Sequence, residues 1–251
     1  MQRLEGKRVI LTGAAGGIGS LVAQRLRAQG AIVVGVDRVT CPECDESVIG
    51  DLASPAGVAS VAAALAARPV DVLVNLAGVQ YFGPFERQDP QAVWLGFAVN
   101  LIAPVLLSQA VLPQMRTRNA GQIVNIGSVF GAIPFAHFVT YSSAKGGLRG
   151  FSDALRRELT GGAVQVTHIA PRAVRTGFNS QKVLEFAALT RMTMDEPERV
   201  ADRIASAVGS SVNNIVIGFP ENVFVRVNAL LPALVDLALK SNDRKAAALF
   251  L

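Results

Sequence analysis

The chain has 251 residues, 51% of them apolar, which suits one large globular core and leaves little room for a second full-sized domain. Lys and Arg number 24 against 19 Asp and Glu, a formal charge of +5; these charges are scattered and come with no nucleic-acid-binding module, so no nucleic acid is expected as a partner. The N-terminal residues lack a signal-peptide core and no unbroken apolar run reaches the ~18 residues of a spanning helix, so a cytoplasmic protein is expected.

Short runs rich in valine and isoleucine alternate with helical patterns. The first strand is expected over 7–12, and 12-TGAAGGIG-19 follows at its end. Four glycines where a strand hands over to a helix (18–29) remove the β-carbons that would hold a ligand away from the backbone. Backbone N–H groups and the positive helix end there suit a phosphate-bearing cofactor; a tight turn is the plain alternative. The second strand, 31–37, ends in Asp37, 18 residues past Gly19. A carboxylate there accepts bonds from ribose hydroxyls and repels a 2′-phosphate, which favours NAD over NADP. The neighbouring Arg38 argues the other way, because a guanidinium receives that phosphate. Cys41 and Cys44 follow in C-P-E-C. A zinc site needs about four ligands, and the only histidines, His137 and His168, are far along the chain. No metal is expected; the pair reads as two free thiols in a polar loop, with a labile disulfide as the alternative.

A weaker strand at 47–52, a helix at 55–67, a strand at 71–76 and a long helix at 90–115 come next, with Trp94 read as helix packing. The strand at 122–127 is followed by Ser128, and the helix at 141–159 carries Tyr141 and Lys145 four apart, on one face. A strand at 164–169, with a structural His168, a helix at 197–208 and a strand at 214–218 complete the alternation. The pattern specifies one α/β domain over 1–251, a doubly wound parallel sheet with helices on both faces and ligands beyond the carboxyl ends of its strands. Phe224, Val227, Leu231, Leu234 and Ala238 recur at helical spacing, so 221–251 is expected to be an amphipathic helical extension, Pro232 opening a second short helix. It is read as packing over the pocket or against a sister subunit; a peripheral membrane contact is the sharper alternative.

Taken together, these residues resemble the short-chain dehydrogenase/reductase family over roughly 5–220. Its glycine motif T-G-x-x-x-G-x-G corresponds to Thr12, Gly13, Gly16, Gly17, Ile18 and Gly19; its Asp-Leu pair to Asp51 and Leu52; its N-N/S-A-G to Asn75, Leu76, Ala77 and Gly78; its P-G-x-V/I-x-T to Pro171, Arg172, Val174 and Thr176. Its catalytic asparagine, serine, tyrosine and lysine are matched by Asn100, Ser128, Tyr141 and Lys145. The resemblance implies a Rossmann-type sheet of about seven strands in the order 3-2-1-4-5-6-7. It implies hydride exchange between NAD (NADP less favoured) and a secondary alcohol or ketone, with Tyr141 as general acid/base. Lys145, helped by the positive nicotinamide of the oxidised cofactor, would lower the tyrosine pKa and would bind the nicotinamide ribose, Ser128 would hold the substrate oxygen, and Asn100 would fix a water behind Lys145. Homodimers or homotetramers built on the 90–115 and 141–159 helices are the family habit. An NADPH-dependent ketoreductase on an acyl-thioester and a non-catalytic NAD-binding scaffold are the alternatives.

Two places depart from the family. Arg172 replaces a glycine, and its side chain is read as pointing to solvent or as an anion site at the pocket mouth. The tail is longer. The substrate lining is sought in Val79, Tyr81, Phe82 and Phe85, and around Ser128 in Val129, Phe130, Phe135, His137 and Phe138, with 177–194 as a lid. This lining is mostly apolar and points to a hydrophobic small molecule.

Overall fold

The computed structural model describes residues 4–251. Its strands are β1 (Arg8–Thr12), β2 (Ile32–Asp37), β3 (Glu46–Ile49), β4 (Val72–Asn75), β5 (Gly121–Ile126), β6 (Val164–Pro171) and β7 (Asn214–Ile217). They form one parallel sheet in the order β3-β2-β1-β4-β5-β6-β7. The helices are α1 (Gly17–Ala28), α2 (Pro55–Ala66), α3 (Pro90–Phe97), α4 (Ala103–Arg118), α5 (Val139–Glu158), α6 (Gln181–Thr190), α7 (Pro197–Ala207), α8 (Glu221–Leu230) and α9 (Pro232–Ala248).

Strand periodicity makes both faces of the sheet apolar. Val9, Leu11, Val33, Val72 and Val74 meet Val22, Leu26, Val200 and Ile204 of α1 and α7. Ile10, Val34, Leu73, Ile123 and Val166 meet Val61, Leu107, Val111 and Leu155 of α2, α4 and α5. The order reverses at β1 and β4, so a crevice opens beyond their carboxyl ends.

The expected 90–115 helix is interrupted. Ala98–Ile102 winds as a π-turn between α3 and α4. Pro104 has no N–H to give and crowds the preceding turn, and a widened turn relieves it. Trp94 does not pack: it is 76% exposed, alongside the partly exposed Leu95, Ile102 and Leu106. The apolar surface of this segment is wider than the face the core accepts. By length and apolarity Pro90–Arg118 would in fact suffice to cross a bilayer, yet α4 packs on α2 and α5 and carries Ser108 buried inside the protein, with Asn100 buried just ahead of it.

The extension is helical as expected, but α9 is 17 residues long, not short. Its inward contacts are Val225 and Val235 against Val129 and Ile133, and Ala246 against Phe138, Val183 and Phe186. Phe224, Leu231 and Leu234 of the expected packing stripe are exposed, with Leu230 and Leu237. The body offers these two helices only a narrow line of contact, and many of their apolar positions fall outside it.

Candidate active site

The crevice is a cavity of about 600 Å³ at the carboxyl ends of the strands. One end is the glycine turn. Thr12 Oγ1 accepts from the N–H groups of Leu76 (3.0 Å) and Ala77 (3.1 Å), which locks the ends of β1 and β4 together. Gly13 has φ +71°, and a β-carbon there would lie 2.8 Å from Ala77 Cα. A β-carbon on Gly19 would run into the Gly13 carbonyl. Both positions therefore demand glycine. Gly13, Gly16, Gly17, Ile18 and Gly19 all line the cavity, and the last three belong to the first turn of α1. That is the cradle a dinucleotide pyrophosphate fits.

Asp37 ends β2 at the wall of this cavity with Arg38, Asp51 and Leu52. Its Oδ2 accepts from Ala15 N–H (3.0 Å) and its Oδ1 from Arg38 N–H (2.7 Å). The carboxylate is thus fixed against the glycine turn and keeps further acceptor capacity for ribose hydroxyls. The Arg38 side chain is exposed. Ala77, Gly78, Pro171, Val174 and Thr176 line the cavity as the motifs implied. Asn75 does not. Its amide is buried, and it donates to Asn125 Oδ1 (2.8 Å) and Ser108 Oγ (3.4 Å), joining β4, β5 and α4. The motif marked its place correctly, but the last residue of β4 points into the packed face of the sheet.

The other end holds the reactive side chains. Ser128 leaves β5; its Oγ accepts from Phe130 N–H at 3.1 Å and hydrogen-bonds Tyr141. Tyr141 and Lys145 lie one turn apart on α5, with Lys145 Nζ 5.9 Å from the tyrosine ring centroid. Lys145 is 4% exposed and donates to the Ile126 carbonyl at 2.9 Å. Asn100, inside the π-turn, donates to the carbonyls of Val79 (2.7 Å) and Gly96 (2.9 Å) and accepts from Val79 N–H. A β-carbon on Gly78 would stand 3.0 Å from Asn100 Oδ1 and 3.8 Å from Lys145 Nζ, so Asn100 and Lys145 flank the same glycine.

Burial sets the protonation of the pair. It pushes the Tyr141 hydroxyl up to about 12, against the lowering effect of the Ser128 hydrogen bond. It brings the Lys145 ammonium down to about 8. The depression expected from Lys145 together with a positive nicotinamide is not what these residues produce by themselves, where desolvation dominates.

Other expectations need correction. Arg172 points neither to solvent nor toward a free anion. Its guanidinium grips both Asp195 carboxylate oxygens (3.0 and 2.8 Å) and also donates to Glu221 Oε2 and the Phe219 carbonyl, each at 3.0 Å. Two carboxylates already neutralise it. Phe130 lines the cavity, but Phe135 stacks behind it, centroids 4.4 Å apart. His137, at φ +66°, turns its ring toward Phe82 and Phe250 and away from the cavity. Phe85 is exposed. Val79 and Phe138 line the cavity as expected, and the apolar wall beyond Tyr141 is completed by Leu95, Val99, Phe178, Val183, Phe186 and Met192. The 177–194 segment, expected at the site as a lid, supplies the last four of these, its α6 helix contributing Val183 and Phe186. The cysteine loop is not a polar surface loop: Cys41 is buried, and both thiols are free. Among the described residues no group of acidic, histidine and cysteine side chains is placed to hold a metal.

Known proteins resemble this chain in sequence and fold. The short chain dehydrogenase family matches residues 7–185. The chain is 31% identical to the ketoacyl reductase HetN of Nostoc sp., over 86% of this chain and 80% of that one. A short-chain dehydrogenase from Streptomyces avermitilis superposes with a TM-score of 0.78 at 28% identity, covering 96% of this chain and 97% of that one. A metagenomic short-chain oxidoreductase solved in complex with NADP gives a TM-score of 0.71 at 30% identity, over 86% and 98%. With the sheet order, the glycine cradle and the serine–tyrosine–lysine cluster already in view, these matches place the chain in the short-chain dehydrogenase/reductase family of oxidoreductases.

Proposed function

We propose that this protein interconverts a secondary alcohol and a ketone on a largely hydrophobic small molecule, with NAD(H) as cofactor and Tyr141 as the proton-transferring residue. The observation that carries this is the convergence of Ser128, Tyr141 and Lys145 on one cavity whose far end is the glycine turn. When bound, the nicotinamide supplies the hydride chemistry. The chain's own residues do the rest. The Ser128 hydroxyl orients the substrate oxygen and shares charge developing on it. Tyr141 passes a proton to or from that oxygen. Lys145 places positive charge beside the phenol, and Asn100 holds the Val79 backbone that borders it. The apolar wall excludes water and selects a hydrophobic substrate.

Asp37 supports NAD over NADP. The second reading, an NADPH-dependent ketoreductase on an acyl-thioester, is favoured by the exposed Arg38 at the cavity wall and by the ketoacyl reductase named among the relatives. Calorimetric titration with NAD⁺, NADH, NADP⁺ and NADPH at one salt concentration separates the two. Tight NAD(H) binding with weak NADP(H) binding supports the first, and the reverse preference supports the second. Binding of neither refutes both. Self-association through the 90–118 and 139–158 helices fits the exposed Trp94, Leu95, Ile102 and Leu106, and light scattering of the purified protein checks it.

A further inference from the structure

The C-P-E-C segment lies against the back of the glycine turn. Cys44 N–H donates to the Cys41 carbonyl at 3.1 Å. This is the i to i+3 bond of a β-turn, whose end Cα atoms lie within ~7 Å, close to the ~4.4–6.8 Å a disulfide spans. The two thiols are close enough that Cys41 helps push the Cys44 thiol up. Both pack on Gly35 in the middle of β2, where a β-carbon would stand 2.7 Å from Cys44 Sγ and 3.2 Å from Cys41 Cβ. The strand has no side chain at the place the sulfur atoms fill. The segment is pinned at its far end, where Asp45 exchanges hydrogen bonds with Val33 (2.9 and 2.8 Å) and takes one from Arg27 at 3.0 Å. On the near side Cys41 Sγ donates to the Ala14 carbonyl at 3.2 Å. Ala14 is fully buried and belongs to the glycine turn itself, and the next residue, Ala15, gives its N–H to Asp37.

We propose that Cys41 and Cys44 are a reversible dithiol–disulfide pair, and that closing the disulfide weakens dinucleotide binding by withdrawing the Cys41 bond from the glycine turn. The coupling rests on the dinucleotide reading of that turn. The oxidant is a small disulfide, RSSR. Cys44, the more exposed of the two, loses its proton and attacks one sulfur of RSSR, expelling RS⁻. Cys41 then loses its proton and attacks the Cys44 sulfur, expelling the second thiolate. The two released protons neutralise the two RS⁻, so one RSSR is reduced to two RSH as the protein disulfide forms. Burial and the neighbouring Cys41 push the Cys44 thiol up, so exchange is slow and the dithiol is the resting form. Once oxidised, Cys41 has no proton to give Ala14, and its sulfur is drawn toward Cys44.

The test uses the whole protein, treated with excess oxidised glutathione or with dithiothreitol, then measured by intact mass, peptide mapping and calorimetric titration with NAD⁺ and NADP⁺. The expected result is loss of two hydrogens, a Cys41–Cys44 link and about a tenfold rise in Kd, as for one lost buried hydrogen bond, reversed by dithiothreitol. Glutathione has no effect on the Kd of Cys41→Ser/Cys44→Ser. Thiols that stay unreacted or stop as mixed disulfides with glutathione overturn the proposal. So does a closed disulfide with Kd unchanged within about twofold. A reduced protein that binds neither nucleotide refutes the proposed function and the coupling with it, and the mass readout then still decides whether the pair closes.

Discussion

Arg172 occupies the position where the family resemblance expects a glycine, and replacing it with alanine tests what the arginine does there. Its side chain is 9% exposed and that of Asp195 2%, so the pair is removed from water. Asp195 has one further cation, Arg199, 3.5 Å away and 67% exposed. Breaking a buried pair from one side costs about 3–5 kcal/mol, because a carboxylate is left desolvated and unpaired. The residual pull of Arg199 places the expected loss near the lower end, about 3 kcal/mol. At roughly 2–4 °C per kcal/mol for a chain of this length, the melting temperature falls by roughly 6–12 °C. Arg175→Ala is the control: its partner Glu196 and Arg175 itself are 62% and 63% exposed, and such pairs contribute under ~1 kcal/mol. Urea and thermal unfolding followed by circular dichroism measure both variants. If Arg172→Ala unfolds together with Arg175→Ala, the clamp reading is wrong. If it keeps its stability but raises KM selectively for carboxylate substrates, the anion-site reading returns.

Tyr141→Phe is expected to lower turnover by about 10²–10⁴-fold, the usual worth of a general acid, while calorimetry shows dinucleotide affinity nearly unchanged; retained turnover removes Tyr141 from the mechanism. In the free protein, the phenolate absorbance of wild type minus Tyr141→Phe should rise only above the ordinary tyrosine range, toward about 12, and an ionisation near neutrality would contradict the burial argument. Lys145→Met should stabilise the fold at neutral pH by about 1–3 kcal/mol while abolishing activity. The unfolded lysine keeps its proton to 10.5 and the folded one only to about 8, so wild-type stability rises with pH across that window and the variant lacks the rise; parallel urea titrations between pH 7 and 10 read the difference. Asp37→Ser, with Arg38 intact, should move the NAD/NADP affinity ratio by about tenfold or more toward NADP; an unchanged ratio would show that Asp37 does not read the ribose.

The motif-bearing end of the fold was legible because its residues are dictated by backbone geometry. Gly13 and Gly19 have no room for a β-carbon, and the strand pattern fixes which turns reach the crevice. Side chains whose role depends on a distant partner were not legible. Arg172 reads as free charge until Asp195 and Glu221, 23 and 49 residues away, are seen closing on it. Asn75 sits in the motif yet serves the sheet, through Asn125 and Ser108. His137 is near Ser128 in sequence, but with its left-handed backbone the ring packs against the tail's Phe250. The tail's helical period was readable and its inward face was not, because periodicity specifies a stripe and only the body decides which stripe is covered.

The protonation of the reactive pair follows from the same packing. Enclosing Tyr141 and Lys145 drives both toward their neutral forms, since burial opposes phenolate and ammonium alike. On the proposed function, a phenol held protonated is already the form that gives a proton in ketone reduction. Alcohol oxidation needs the phenolate, and stabilising it needs positive charge beyond what a desolvated lysine bonded to the Ile126 carbonyl supplies. The polar groups around the pair hold Lys145 in place through Ile126 and hold Val79 through Asn100, but none of them hydrogen-bonds the phenol except Ser128. On the proposed function, the charge that shifts the pair toward oxidation would therefore come from a cofactor held in the cavity that Gly78, Tyr141 and Lys145 line.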